Sequence, residues 1–462
     1  MYPGRETQPT FPPQVTQDLT LVESWYAQTT DRGDKLYLGT NLARTKAIIG
    51  LPHLPVLDEV LALSGKGNIT RERERAGVYR DAAQIYTWAG DTNKAYEAIA
   101  KGAEIDRAFL LPWGYLDIAK IELKQGKKPT DSIAKALKSV KRIGDPLRVC
   151  HQYFQVAKLQ SRAGVNSRSL IYKAVVMLDE ASVAHPQQKL LVYQDATEAY
   201  AVNGDFGLAF QTLPKMVAEL PSYTRQKRDR SLTYIANELI KAGRFEQALH
   251  AVHGIDDYSV IARCNAKVAL AQARTGFDPK EWIDTSLEQI EDYQQVIKLD
   301  PYAETYRARL SKIFAILGQA EAENGNDSRG RFAQAMDYAR KEPSLRQRAE
   351  LLSEVGSQMA AVGYNPRQAF LEAVVAAELL LSQPENDPRL QGFLHLIGQS
   401  IAIEVPTYQD VLEQATNAGL LDLVDRGIDR LYKLDHRLRE GFSTLVKADL
   451  LLGRVEALVR AA

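Results

Sequence analysis

Two histidine arrangements come first to mind as chemistry. His250 and His253 stand three residues apart in AGRFEQALHAVHG, a spacing that puts two imidazoles on one helix face within reach of one metal ion. No Asp, Glu or Cys stands where it would complete three or four ligands, although Asp256 and Asp257 follow closely. Histidines near a helix C-terminus, where positive charge is favoured, account for the pair, and no metal or cofactor is expected. Cys150 precedes His151 directly, but neighbours on a helix point about 100° apart and cannot act as nucleophile and base towards each other. Cys150 is therefore expected in the core. The phosphate-loop, dinucleotide, nucleophile-elbow and HExxH patterns are all absent. The chemistry-bearing residues point away from an enzyme.

Composition narrows the classes further. The chain has 462 residues with 58 basic and 58 acidic side chains, so it lacks the basic surplus of a general nucleic-acid binder. Two cysteines are too few for a disulfide framework. The start shows no secretory signal, and the most apolar stretch, residues 371–382, is too short and too charged to cross a bilayer. A cytoplasmic protein without membrane insertion is expected. Charge is nevertheless uneven. Residues 120–142 hold eight basic side chains against two acids, and residues 278–304 hold eight acids against two lysines. Each run reads as a solvated helix face, or as a surface preferring an oppositely charged partner.

The elements that must position any site are helical. Apolar residues recur at three- and four-residue spacing almost throughout, and hairpin signals between alternating strands are missing. Glycines close the helical runs at Gly90, Gly126, Gly164, Gly204, Gly243, Gly276, Gly325 and Gly363, with gaps of 36, 38, 40, 39, 33, 49 and 38 residues, about 39 on average. That period suits two antiparallel helices and two turns. Seven residues before each glycine stands a small residue: Ala83, Ala119, Ala157, Thr197, Ala236, Ala269, Gly318 and Gly356. Two turns from the helix end, this position faces a partner helix, where bulk would force the pair apart. Five residues after the glycine, Ala95, Ala209, Ala248 and Ser169 supply the matching small residue of the second helix.

This arrangement resembles the tetratricopeptide repeat, most closely in AAQIYTWAGDTNKAYEAI (82–99), ATEAYAVNGDFGLAFQTL (196–213) and ANELIKAGRFEQALHAV (236–252), where Tyr86 and Tyr200 match the family's aromatic on the first helix. The repeat here is longer than the family's, and its proline after the second helix is mostly missing. The resemblance implies an all-α, right-handed superhelical solenoid of antiparallel helix hairpins. Residues 1–16 read as a disordered tail, 17–70 as a helical cap with helices at 17–28 and 41–64, 71–380 as the array, and 381–462 as degenerate repeats and capping helices, marked by Gly398 with the break at Pro406 and by Gly453 near the end.

In such arrays first helices line a concave wall, which the resemblance places at 13, 10 and 6 residues before each glycine. Those positions hold Arg80, Gln84, Trp113, Lys120, His151, Lys158, Arg230, Thr233, Asn237, Arg263 and Lys312, with Glu198 and Glu350 as the few acids. A predominantly basic groove is expected. The family's carboxylate-clamp set is not present, so a chaperone-tail receptor is not expected. The leading expectation is a non-catalytic scaffold holding an extended or helical, acidic protein segment. RNA binding with stacking on Trp113, Tyr79 or Tyr86 is the alternative, disfavoured by neutral charge; an α-helical enzyme with a groove-located site is the third reading.

Overall fold

A computed structural model describes residues 11–65, 72–181, 186–219, 224–255, 257–297 and 306–382, together with short stretches between 411 and 459. Every regular element among these residues is an α-helix. Gly398, Pro406, His395, His436, Asp256 and the end of the acidic run lie outside the described residues.

Helix termination sets the architecture. At each of the eight glycines the backbone takes a positive φ, between 70° and 86°, a conformation that penalises any Cβ. The next residue's N–H then reaches back five residues, as in Asp91 to Tyr86 and Tyr364 to Met359, closing the carbonyls that the helix end leaves open. Six hairpins follow from this in residues 65–300, one compact unit. They are α4 (Glu72–Trp88) with α5 (Thr92–Ile105), α6 (Arg107–Lys124) with α7 (Thr130–Val140), and α8 (Pro146–Arg162) with α9 (Arg168–Glu180). Next come α10 (Pro186–Val202) with α11 (Phe206–Glu219), α12 (Thr224–Lys241) with α13 (Phe245–Val252), and α14 (Tyr258–Arg274) with α15 (Lys280–Ile297). Each first helix packs on its own second helix, each from α4 to α12 also packs on the first helix of the next hairpin, and each second helix from α5 to α13 also touches the next first helix. That is the packing of a tetratricopeptide-like α-solenoid.

The other compact unit joins residues 1–64 to 301–462. It holds α1 (Pro13–Gln28), α2 (Arg32–Ile48), α3 (Leu54–Gly65), and two hairpins, α16 (Tyr306–Glu323) with α17 (Arg329–Arg340) and α18 (Leu345–Ala361) with α19 (Arg367–Ser382). Helix α1 begins at Pro13, inside the proline-rich start, because Val15 and Leu19 are buried among Leu42, Phe370, Leu451 and Val455. Arg454 joins the chain's two ends by donating to both carboxylate oxygens of Asp18, at 2.8 and 2.7 Å, with both side chains buried. Tyr37 and Asn41 donate to Asp449, at 2.6 and 2.9 Å.

All eight small residues seven before the glycine are buried. Gly318 and Gly356 are small for a visible reason. A Cβ on Gly318 would lie 3.2 Å from the Phe332 ring, and one on Gly356 would lie 2.9 Å from the Phe370 ring. On the second helix, Ala95, Ala209 and Ala248 are buried as expected, but Ser169 is exposed. The turn after Gly164 is two residues longer than those after Gly90, Gly204 and Gly243, so the equivalent buried residue is Ile171. Asn166 and Asp278 in two of the longer turns accept the N–H two residues on, from Arg168 and Lys280, and so hold the start of the second helix.

Candidate functional site

On a helix, positions four and three residues apart share a face. Counting from the residue thirteen before each glycine, this groups Trp113, Asp117 and Lys120 on α6, His151, Gln155 and Lys158 on α8, and Leu191, Asp195 and Glu198 on α10. Because α6, α8 and α10 pack in succession, the three rows meet. Arg80 Nε donates to Asp117 at 2.6 Å, and Lys120 Nζ donates to the other oxygen of Asp117 at 3.1 Å. Gln84 reaches the same carboxylate at 3.5 Å. Two repeats on, Asp195 receives Gln155 at 3.1 Å and Lys158 at 3.4 Å, and His151 Nδ1 lies 2.6 Å from its second oxygen. Lys158 also donates to Glu198 at 3.0 Å and is only 8 % exposed.

The expected residues are therefore on the first helices, and Arg80, Gln84 and Lys120 converge, as do His151 and Lys158. Each of these two clusters gathers on carboxylates, Asp117 for Arg80 and Lys120 and Asp195 with Glu198 for His151 and Lys158, where an open basic groove was expected. The reason is one residue of spacing. The position ten before the glycine is core on α6 and α8, where Leu116 and Phe154 are fully buried, and the face continues at nine before it, where Asp117 and Asp195 stand. The i, i+4, i+7 series starting from Trp113, His151 and Leu191 is the sequence signal that would have found them. Farther along, Asn237 accepts from Lys267 at 2.8 Å, Arg230 is exposed, Arg263 is half-buried, and Lys312 pairs with Glu354 at 2.9 Å. Burial, aided by Glu238 and Glu198, pushes the Tyr234 phenol on this face up to about 12.

A cleft of about 850 Å³ opens where these rows begin, lined by Leu111, Trp113, Arg142, Arg148, His151 and Leu191 among others. The Trp113 and His151 rings meet at 5.5 Å and 51°. Leu191 is 48 % exposed on the rim, Arg142 is exposed, and Arg148 lies loosely against Asp145 at 3.4 Å. The cleft offers an apolar, aromatic seat with Arg142 and Arg148 beside it, and Asp106 and Asp145 also line it.

Cys150 Sγ donates to the carbonyl of Ala174 while the neighbouring His151 turns to Asp195, and burial pushes the Cys150 thiol up to about 11. His250 and His253 are exposed, and among the described residues no three His, Cys, Asp or Glu side chains are grouped to hold a metal. The basic run is exposed along α7 at Lys135 and Lys138, and Glu281, Asp284, Glu288, Glu291 and Asp292 are exposed along α15. No helix among the described residues is long and apolar enough to cross a membrane.

The hairpin geometry defines the class as a tetratricopeptide-like helical-repeat protein. Neither a protein-family model nor a curated protein matches the chain. Among solved structures, Ton1535 from Thermococcus onnurineus NA1 is similar at 14% identity over 77% of this chain and 94% of that one, with a TM-score of 0.29. The human IFIT1 dimer with m7Gppp-AAAA is similar at 13% identity over 96% of both chains, with a TM-score of 0.28. A circular tandem repeat protein follows at 12% identity over 97% and 96%, with a TM-score of 0.17. Scores this low carry no argument, and the class rests on the turns and helix packing above.

Proposed function

We propose that the protein is a non-catalytic scaffold that holds an extended or helical, acidic segment of a protein partner against the first-helix face of α6, α8 and α10. The observation that carries this reading is the cleft at Trp113. An apolar side chain of the partner would fill the space between Trp113, Leu111 and Leu191, and a neighbouring carboxylate would meet Arg142 or Arg148. Aromatic seats with flanking arginines concentrate binding energy in this way. The carboxylate-tied cations beside the cleft, Lys158 above all, hold the helices in place and leave little charge for a partner.

A photo-crosslinking residue at Leu191, on the rim, tests the reading against one at Val296, exposed on α15. Adducts that appear only from position 191 and are destroyed by protease support it. Adducts at 191 destroyed by ribonuclease would favour an RNA, whose bases could stack on the Trp113–His151 pair, and equal labelling from both positions would remove the cleft from the account. Arg142→Glu with Arg148→Glu should weaken partner capture strongly, because repulsion is added to the lost attraction.

A further inference from the structure

The second helices α9, α11 and α13 carry a different surface. Two clefts of about 590 and 600 Å³ open there, and both are lined by Arg168 and Leu208, so they form one trough. Its apolar part comes from Tyr172, Phe206, Leu208 and Phe210. Tyr172 is 63 % exposed, and Val176, one turn along α9, is 36 % exposed. Clustered exposed apolar side chains of this kind mark interaction surfaces.

The charges around the trough are not balanced. Arg168, Arg244 and His250 line it, and Asp205 is the one carboxylate among its lining residues. Asp205 is already engaged, by Arg168 at 3.6 Å and by the Asn203 amide at 2.7 Å. Arg244 has no carboxylate partner among the described residues, and its guanidinium lies 5.3 Å from the Phe206 ring centre, over an apolar floor. Arg244 thus differs from Arg80, Lys120 and Lys158 on the first helices, which are tied to Asp117, Asp195 and Glu198. Gly207 gives the trough its opening: a Cβ there would meet nothing within 4 Å.

We propose that this trough docks an acidic amphipathic segment of a protein partner, with a bulky apolar side chain against Tyr172, Leu208 and Phe210 and carboxylates on Arg168 and Arg244. Charge complementarity selects the occupant. An apolar seat takes the anchor side chain, and cations on either side favour acids flanking it. The site lies on other helices than the Trp113 cleft and does not depend on it.

The test uses the full chain and a fluorescein-labelled, helix-forming peptide with glutamates around a Phe and a Leu four residues apart, read by fluorescence anisotropy. Wild type should bind it and should not bind the peptide with lysines for the glutamates. Arg168→Glu with Arg244→Glu should weaken binding at least about tenfold, since two attractions become repulsions. Gly207→Trp fills the trough from a position with free space and should abolish binding while circular dichroism stays that of wild type. Arg142→Glu with Arg148→Glu, on the first-helix face, should leave this binding unchanged, which separates the trough from the Trp113 cleft. The proposal is overturned by no binding to wild type, by binding that survives Gly207→Trp, or by equal binding of the lysine peptide. It is equally overturned if the trough instead takes an oligoadenylate RNA, or if it takes a second copy of the chain, seen as a dimer in sedimentation that Gly207→Trp dissociates.

Discussion

Hairpins α4/α5 and α18/α19 solve one packing problem in opposite ways. In α4/α5 the first helix presents Ala83 and the second presents Ala95, both buried, and a short turn joins them. In α18/α19 the first helix presents Gly356, the second presents the fully buried Phe370, and the turn is two residues longer. Hairpin α16/α17 repeats the second solution with Gly318 and Phe332. Bulk on one helix is met by its absence on the other, so that both pairs pack closely. A small residue before the turn thus has two meanings, and its partner decides which.

The largest effect should come from breaking the Phe solution. Phe370→Ala removes a fully buried ring facing a glycine that cannot fill the hole, and should cost about 3–5 kcal/mol in urea unfolding. A loss near that of a surface residue would mean that the ring is not what separates α18 from α19.

Overpacking the Ala solution comes next. Ala236→Leu, on the fully buried position of α12, should cost about 1–3 kcal/mol. Because hairpins touch only their neighbours, limited proteolysis should find the first cuts near α12 and α13. Wild-type behaviour would show that the position does not face a partner helix.

Two glycine-to-alanine changes sharpen the comparison. Alanine at an open helical position gains about 0.5–1 kcal/mol over glycine, so Gly77→Ala on α4, where a Cβ meets nothing within 4 Å, should raise the melting temperature. Gly356→Ala has the same propensity gain but drives its Cβ against the Phe370 ring, and should lower it. Equal shifts of the same sign would end the case for Gly356 as a spacer.

The smallest effect concerns the thiols. Burial pushes Cys150 and Cys264 each up to about 11, and both are closed off from solvent. Neither should react with a disulfide reagent at pH 8 in the folded protein, and both should react in urea. Prompt labelling of the native chain would place one of them outside the core.

Much of the fold was legible because its signals are local. A helix ends in a positive-φ glycine whatever lies beyond it, so all eight turns could be read from residue type and spacing. The small residue seven before each turn was legible for a related reason, since close approach of two helices in one hairpin excludes bulk within a few tens of residues. Ser169 misled because turn length is set by residues 165–167, where Asn166 holds the start of α9, and a two-residue difference moves every later position around the helix.

What only the tertiary structure decided involves partners far apart in the chain. Arg80, Lys120, His151 and Lys158 are basic or ionisable in the sequence, yet Asp117 and Asp195 pair with them, from a neighbouring repeat in the case of Arg80, His151 and Lys158. Asp18 and Arg454 pair across 436 residues, which no repeat period announces. Arg168, Leu208 and Arg244 lie in three different hairpins and share a trough only because α9, α11 and α13 stand side by side. Spacing within a helix depends on backbone geometry that every chain shares, whereas the charge and depth of a surface depend on which distant residues arrive beside it.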